Sequence, residues 1–162
     1  MREEYEIGAS DAPHVDIRHD RMNPIFRRAK DKGYVERLTR TNMAPYYEKA
    51  GLVWDRALFE KNWQEFESYE VAINGGVAGV LRLSHDDVAY YIRDLQIEPS
   101  WQHQGLGTRA INFAIEIARN AGAQRLRLRV FCENPAVALY ERMGFQVCKT
   151  AEDTHYMERE LP

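Results

Sequence analysis

The period of the apolar positions changes along the chain, and each change marks a new element. Tyr34, Val35 and Leu38, with Thr41 on the same side, are spaced by three and four. That predicts one face of a helix from Tyr34 to Tyr47, with Pro45 expected to end or bend it. Gly51 interrupts the chain, and Asp55 is placed to cap a second helix through Trp63 and Phe66, because a carboxylate at that position accepts one of the unpartnered first N–H groups. From Tyr69 the pattern is that of strands: Tyr69 to Ile73, then Asn74-Gly75-Gly76, then Val77 to Leu83. Asn-Gly between apolar runs predicts a hairpin, since both turn positions tolerate positive φ. His85-Asp86-Asp87 turns the chain into a strand over Val88 to Glu98, so three antiparallel strands lead to the polar loop Pro99 to Gln104. Gly105 and Gly107 then open a helix with apolar Ile111, Ala114, Ile115 and Ala118 on one face. After it come a strand over Arg125 to Phe131, expected to lie parallel to the Val88–Glu98 strand through a right-handed crossover, and a helix over Asn134 to Met143 closed by Gly144. Two short strands, Phe145 to Lys149 and Thr154 to Arg159, complete the pattern.

Residues 1–23 show no sustained period and read as an N-terminal extension, either a disordered arm or a short added strand. Residues 24–162 read as a single domain, with Ile25 to Ala29 a first strand by position more than by pattern. A chain of 162 residues can bury most of its apolar surface without staples. Its net charge of -3 argues against a general nucleic-acid binder, which needs a basic footprint. No apolar run is long enough to predict a membrane span, and the start MREEYEIGASDAPHVD has no apolar core of a secretory signal. Cys132 and Cys148 are too few for a disulfide framework. A reduced, cytoplasmic setting is expected. The histidines are scattered without ligand spacing, so no metal site is expected.

The chemistry concentrates at the glycines. The first N–H groups of a helix lack partners within it and carry the positive end of its dipole. Glycine at 105 and 107 lets a diphosphate approach those groups, and Thr108 adds a hydroxyl. Gly105-Leu106-Gly107-Thr108-Arg109-Ala110 also fits the Gly-x-Gly-x-x-Gly/Ala fingerprint of dinucleotide-binding folds. Against that reading, the stretch Glu98 to Gln104 separates the strand from the first glycine, and too little chain follows for a second βαβ half.

Gln102-His103-Gln104-Gly105-Leu106-Gly107 instead resembles the Arg/Gln-x-x-Gly-x-Gly/Ala signature of the GNAT superfamily, the acyl-CoA-dependent N-acetyltransferases. A second motif of that family, Asn-Pro-Ala, apolar residues, Tyr and then Gly-Phe, is matched without gaps by Asn134-Pro135-Ala136 through Tyr140 to Gly144-Phe145. The resemblance is strong over residues 68–157 and weaker back to Ile25. It implies an α/β fold, a mixed, mostly antiparallel central sheet of about six or seven strands flanked by about four helices.

The resemblance further implies that acetyl-CoA, as acyl-donor cosubstrate, lies between the Val88–Glu98 and Arg125–Phe131 strands. Its pantetheine would pair with the backbone near Leu95, Gln96 and Ile97, and its diphosphate would sit on the N–H groups of Gln102, His103, Gln104, Gly105, Leu106, Gly107 and Thr108. Asn134 would contact pantetheine, and Tyr140 would stand near the sulfur. A tyrosine, with an ordinary pKa of about 10, is protonated at neutral pH and can donate to a departing thiolate. The same glycines and tyrosine could instead serve packing alone.

An ammonium has no lone pair, so a base must take its proton. Asp94 and Tyr91, and after them Glu133, are the candidates. Strand alternation places Asp94 on one face with Tyr90, Ile92 and Gln96, where it is either a base or the partner of an arginine on the neighbouring strand. Arg125, Arg127 and Arg129 alternate with apolar residues. They form either a solvated face or a wall of the acceptor cleft that favours a carboxylate-bearing amine. Met43, Tyr46, Tyr47, Trp54 and Trp63 either build core or shape the acceptor site. The function implied is acetyl transfer to a primary amine of a small molecule, with a protein amine or a non-catalytic acyl-CoA sensor as alternatives. Neither nucleic acid nor membrane is expected as a partner, and a homodimer is compatible with the sequence.

Overall fold

The computed structural model describes residues 23–162, built on a seven-stranded sheet with strand order β1-β2-β3-β4-β5-β7-β6. Its strands are β1 (Ile25–Arg28), β2 (Glu67–Ile73), β3 (Gly76–His85), β4 (Ala89–Ile97), β5 (Arg125–Phe131), β6 (Gln146–Ala151) and β7 (Thr154–Glu160). Every neighbouring pair is antiparallel except β4 and β5, which run parallel. An almost wholly antiparallel sheet is not the doubly wound parallel sheet that a dinucleotide fold requires. Residues 1–22, and with them nearly all of the expected extension, lie outside the described residues.

The four α-helices are α1 (Lys32–Lys49), α2 (Arg56–Glu65), α3 (Leu106–Asn120) and α4 (Ala136–Arg142). Asp31 and Asp55 cap the first two by accepting from the Tyr34 and Leu58 N–H groups, each at 3.0 Å. Helix α1 runs through Pro45 to Lys49 instead of ending there. The turn beyond the proline is held from outside, because Tyr46 and Tyr47 pack on Phe131 with ring centroids 5.8 and 6.2 Å away. The Glu36 carboxylate accepts from Trp54 at 2.8 Å and from Arg56 at 3.1 and 3.2 Å, which ties α1 to the start of α2. The β2–β3 turn has φ of 50° at Asn74 and 83° at Gly75, the conformation Asn-Gly predicts.

The helices divide between the faces of the sheet. Leu83, Ile92, Leu128 and Met157 form one cross-strand row and pack with Ile111, Ala114 and Tyr140 from α3 and α4. On the other face Val80 packs with Val35 and Leu38 of α1 and Phe59 of α2.

Strand β4 departs from simple alternation. Arg82 pairs with Asp94 and Leu83 with Ile92, so Arg93 is an extra residue, a β-bulge. A bulge shifts every later side chain to the opposite face. The alternation expected from the sequence, with Tyr90, Ile92, Asp94 and Gln96 together, is therefore overturned. Tyr90, Ile92 and Leu95 face α3 and α4, while Asp94 and Gln96, paired with Arg82 and Val80, face α1 and α2.

Candidate active site

Beyond Ile92 and Leu128 the pairing of β4 with β5 stops, and the two strands part. A cleft of about 880 Å³ opens there, lined by Tyr47, Asp94, Gln96, Arg129, Asn134 and Tyr140 among others. Past this point β4 turns toward the cleft a backbone edge unpaired with β5.

Asp94 is held from two sides. Arg82, buried on β3, donates to it at 3.0 Å, and the Gln96 amide next to it on the same face favours its charged form. Gln96 in turn accepts from Asn42 of α1 at 3.2 Å. The result is a network from α1 through Gln96 and Asp94 to Arg82, which itself lies 4.9 and 5.0 Å from the ring centroids of Phe59 and Phe66. Burial pushes the Asp94 carboxyl up, against the opposing pull of Arg82 and the Gln96 amide.

Tyr140 enters the cleft from α4, buried and edge-on to Phe145 at 5.7 Å. Burial raises its hydroxyl above the ordinary tyrosine value, and the charge of Asp94 adds to the effect. The Asp94 charge is thus felt at Tyr140 across the place where the strands part. Asn134 accepts from the Ala136 N–H at 2.9 Å, fixing the entry to α4, and also lines the cleft. Tyr91 lines it too, its hydroxyl bound to Asp86 at 2.8 Å and to Arg127 at 3.2 Å. Glu133 pairs instead with Lys49 at the surface.

Most of the residues singled out by sequence fall into two groups. Tyr91, Asp94, Leu95, Gln96, Asn134 and Tyr140 meet in the cleft. Gln102 to Thr108 form the loop and first turn of α3 instead, off the end of β4. Gly105 has φ of 89° and His103 of 61°, and no side chain caps the helix. Its first N–H groups are therefore without a side-chain acceptor, as an anion site requires. The Leu106 side chain is core, packed with Val71, Ile73 and Ala78, so only its backbone faces outward. A Cβ on Gly107 would come within 2.9 Å of Leu139 Cδ2, so this glycine also lets α3 approach α4. The Ile97 carbonyl already accepts from Asn42 and Gln102, each at 3.0 Å. Arg82, which with Asn42 holds the site, was not signalled by any motif. The one local clue is a lone charge inside the apolar run Val80-Leu81-Arg82-Leu83. Among the described residues no group of three His, Cys, Asp or Glu could hold a metal, and no helix is long and apolar enough to cross a membrane.

Residues 35–145 match the model of the acetyltransferase (GNAT) family. The chain is 35% identical over 66 residues to a thialysine N-epsilon-acetyltransferase of Bos taurus, covering 40% of this chain and 39% of that one. It is 33% identical over 81 residues to the streptothricin acetyltransferase of Streptomyces lavendulae, covering 48% and 43%. The chain thus spans less than half the length of these relatives. Its fold is like that of the crystal structure of PaiA N-acetyltransferase from Thermoplasma acidophilum in complex with coenzyme A, with a TM-score of 0.69 at 18% identity over 86% of this chain and 99% of that one.

Proposed function

Because the chain belongs to the acetyltransferase (GNAT) family, we propose that it transfers the acetyl group of acetyl-CoA to the primary amine of a small molecule by direct attack. The observation that carries this reading is that a carboxylate, Asp94, and a buried tyrosine, Tyr140, line one cleft where two strands part.

The residues fit the cosubstrate. The unpaired edge of β4 after Ile92 offers backbone groups to the pantetheine amides, as an added strand would take them. Asn134 lines the same cleft, and the uncapped start of α3 suits the diphosphate. A cleft of about 880 Å³ lies within the range for small-molecule pockets, ~300–1,000 Å³. Part of it must take the thioester arm, which favours a small amine over a protein segment.

Asp94 takes a proton from the acceptor ammonium, and burial, by raising its carboxyl, brings it closer in basicity to that task. The freed amine attacks the thioester carbonyl, the C–N bond forms as the C–S bond breaks, and the nitrogen gives up its second proton to solvent as the neutral amide forms. Tyr140, protonated throughout the neutral range, delivers its proton to the departing thiolate and recovers one from solvent. The Arg82 and Gln96 contacts fix the Asp94 carboxylate and leave it able to accept.

Thermal unfolding with acetyl-CoA, CoA and NAD in parallel tests the cosubstrate. Saturation at about 100 times the dissociation constant adds about 2.7 kcal/mol to stability, so both CoA species should raise the midpoint and NAD should not. Thiol release from acetyl-CoA with a panel of amines then tests transfer. Asp94→Asn should lower turnover by about 100- to 10,000-fold while acetyl-CoA still binds. Full turnover in that variant across pH would remove Asp94 as the base. Binding without turnover for any amine would favour the acyl-CoA sensor.

A further inference from the structure

We propose that the acceptor amine carries a carboxylate, received by Arg129 and Lys149 on either side of the Tyr156 ring, with Arg93 facing them from β4. This rests on the acetyl-transfer reading and names the substrate class of that same cleft.

Arg129 of β5 and Lys149 of β6 both pair with Tyr156 of β7, so the three side chains stand side by side on one face. The guanidinium lies 5.9 Å and the ammonium 4.9 Å from the ring centroid. All three residues line the cleft, as does Arg93. Arg93 stacks over Tyr91 at 4.7 Å and donates from Nε to Ser84 at 2.8 Å. It is close enough to Arg129 for the two charges to oppose each other.

Like charges converging on one wall are normally offset by carboxylates. Two carboxylates line the cleft, Glu158 and Asp94. Glu158 accepts from Arg127 at 2.6 Å and Arg125 at 3.2 Å, and Asp94 accepts from Arg82 at 3.0 Å. Among the described residues, neither Arg129 nor Lys149 has an acidic partner within salt-bridge distance. The cations are therefore arranged for an anion that the chain does not itself supply.

Position separates this anion from the cosubstrate's phosphates. Arg129 and Asp94 lie on the sheet face turned toward α1, and both act electrostatically on Tyr47 of that helix, whereas the glycine loop begins α3, whose apolar side packs on the opposite face. A guanidinium fork and an ammonium held against an aromatic ring match a planar carboxylate presented beside the amine that Asp94 deprotonates.

The test uses CoA-saturated protein and acid/amide probe pairs: β-alanine and β-alaninamide, 4-aminobutyrate and its amide, 6-aminohexanoate and its amide, and L-lysine and L-lysinamide. Binding is read by titration calorimetry and transfer by thiol release. At least one acid should bind about tenfold or more tighter than its amide, with the difference in KM more than in kcat. Arg129→Gln and Lys149→Gln should each shrink that ratio, and Arg129→Lys should retain part of it. O-phosphoethanolamine against ethanolamine is the phosphate arm. Acids binding no better than amides, an acid preference that survives the double Gln variant, or a preference confined to the phosphate probe would each overturn the proposal while acetyl transfer stands. Failure of acetyl-CoA to bind would overturn the transfer reading, and this one with it.

Discussion

Arg82 and Asp94 face each other directly across the β3–β4 register, joined at 3.0 Å, with the arginine side chain 2% and the aspartate 20% exposed. A buried pair of this kind contributes little net stability, but removing one partner strands the other charge at a cost of about 3–5 kcal/mol. The pair is better understood as a device that fixes Asp94 toward the cleft.

Arg82→Met should therefore destabilise the protein at neutral pH by about 3 kcal/mol, measured by urea unfolding. The sign with pH follows from burial. Asp94 is raised above its unfolded value, so the folded state prefers it protonated, and without Arg82 that preference grows. The loss should be small below about pH 4 and increase as pH rises through the carboxylate range. The acid limb of kcat/KM should move to higher pH in the same variant. A deficit that does not change with pH would show that the cost is packing against Phe59 and Phe66 alone.

Tyr140→Phe keeps the ring that packs on Phe145, so folding should be preserved while kcat falls by about 100-fold or more. Because the hydroxyl is raised above the ordinary tyrosine value, wild-type kcat should show no falling limb from this residue up to about pH 10. A pH–rate profile of both proteins checks this. Equal kcat values would remove Tyr140 as the acid.

Two glycines should respond differently to alanine. At Gly79 a Cβ would come within 2.6 Å of the Gln96 carbonyl oxygen, a backbone atom held in the sheet. At Gly107 it meets the end of the Leu139 side chain at 2.9 Å, which can move. Gly79→Ala should cost about 1–3 kcal/mol, more than Gly107→Ala, and should lower activity by displacing Gln96 from Asp94. Thermal melting ranks the two, and the opposite order would contradict the contact geometry.

Asp86 accepts from the Ala89 N–H, from the Tyr91 hydroxyl and from the Val88 N–H, and these bonds hold its carboxyl down at about 2. A depressed carboxylate contributes stability that is fully present above its unfolded value of about 3.9 and is lost as pH falls toward 2. Asp86→Ala should thus be least stable relative to wild type above about pH 4, with the two melting curves converging in acid. Parallel curves at every pH would assign the turn's stability to something other than this charge.

The sequence by itself determined the elements and their order. Spacing of apolar residues, the Asn74-Gly75 turn, the Asp55 cap and the glycines before α3 act over a few neighbouring residues, and each is satisfied locally in the structure. The motif residues Asn134 and Tyr140 were legible for the same reason, since they occupy consecutive turns of one segment. Tertiary structure alone decided the bulge at Arg93, the pairing of Asp94 with Arg82, the Asn42–Gln96 link and the Arg129–Tyr156–Lys149 row. Each depends on how strands distant in sequence align, and one inserted residue in β4 reverses the face of everything after it. Periodicity records which residues share a side within a strand, but only cross-strand hydrogen bonding sets which partner stands opposite, and the chemistry of this cleft is made of such partners.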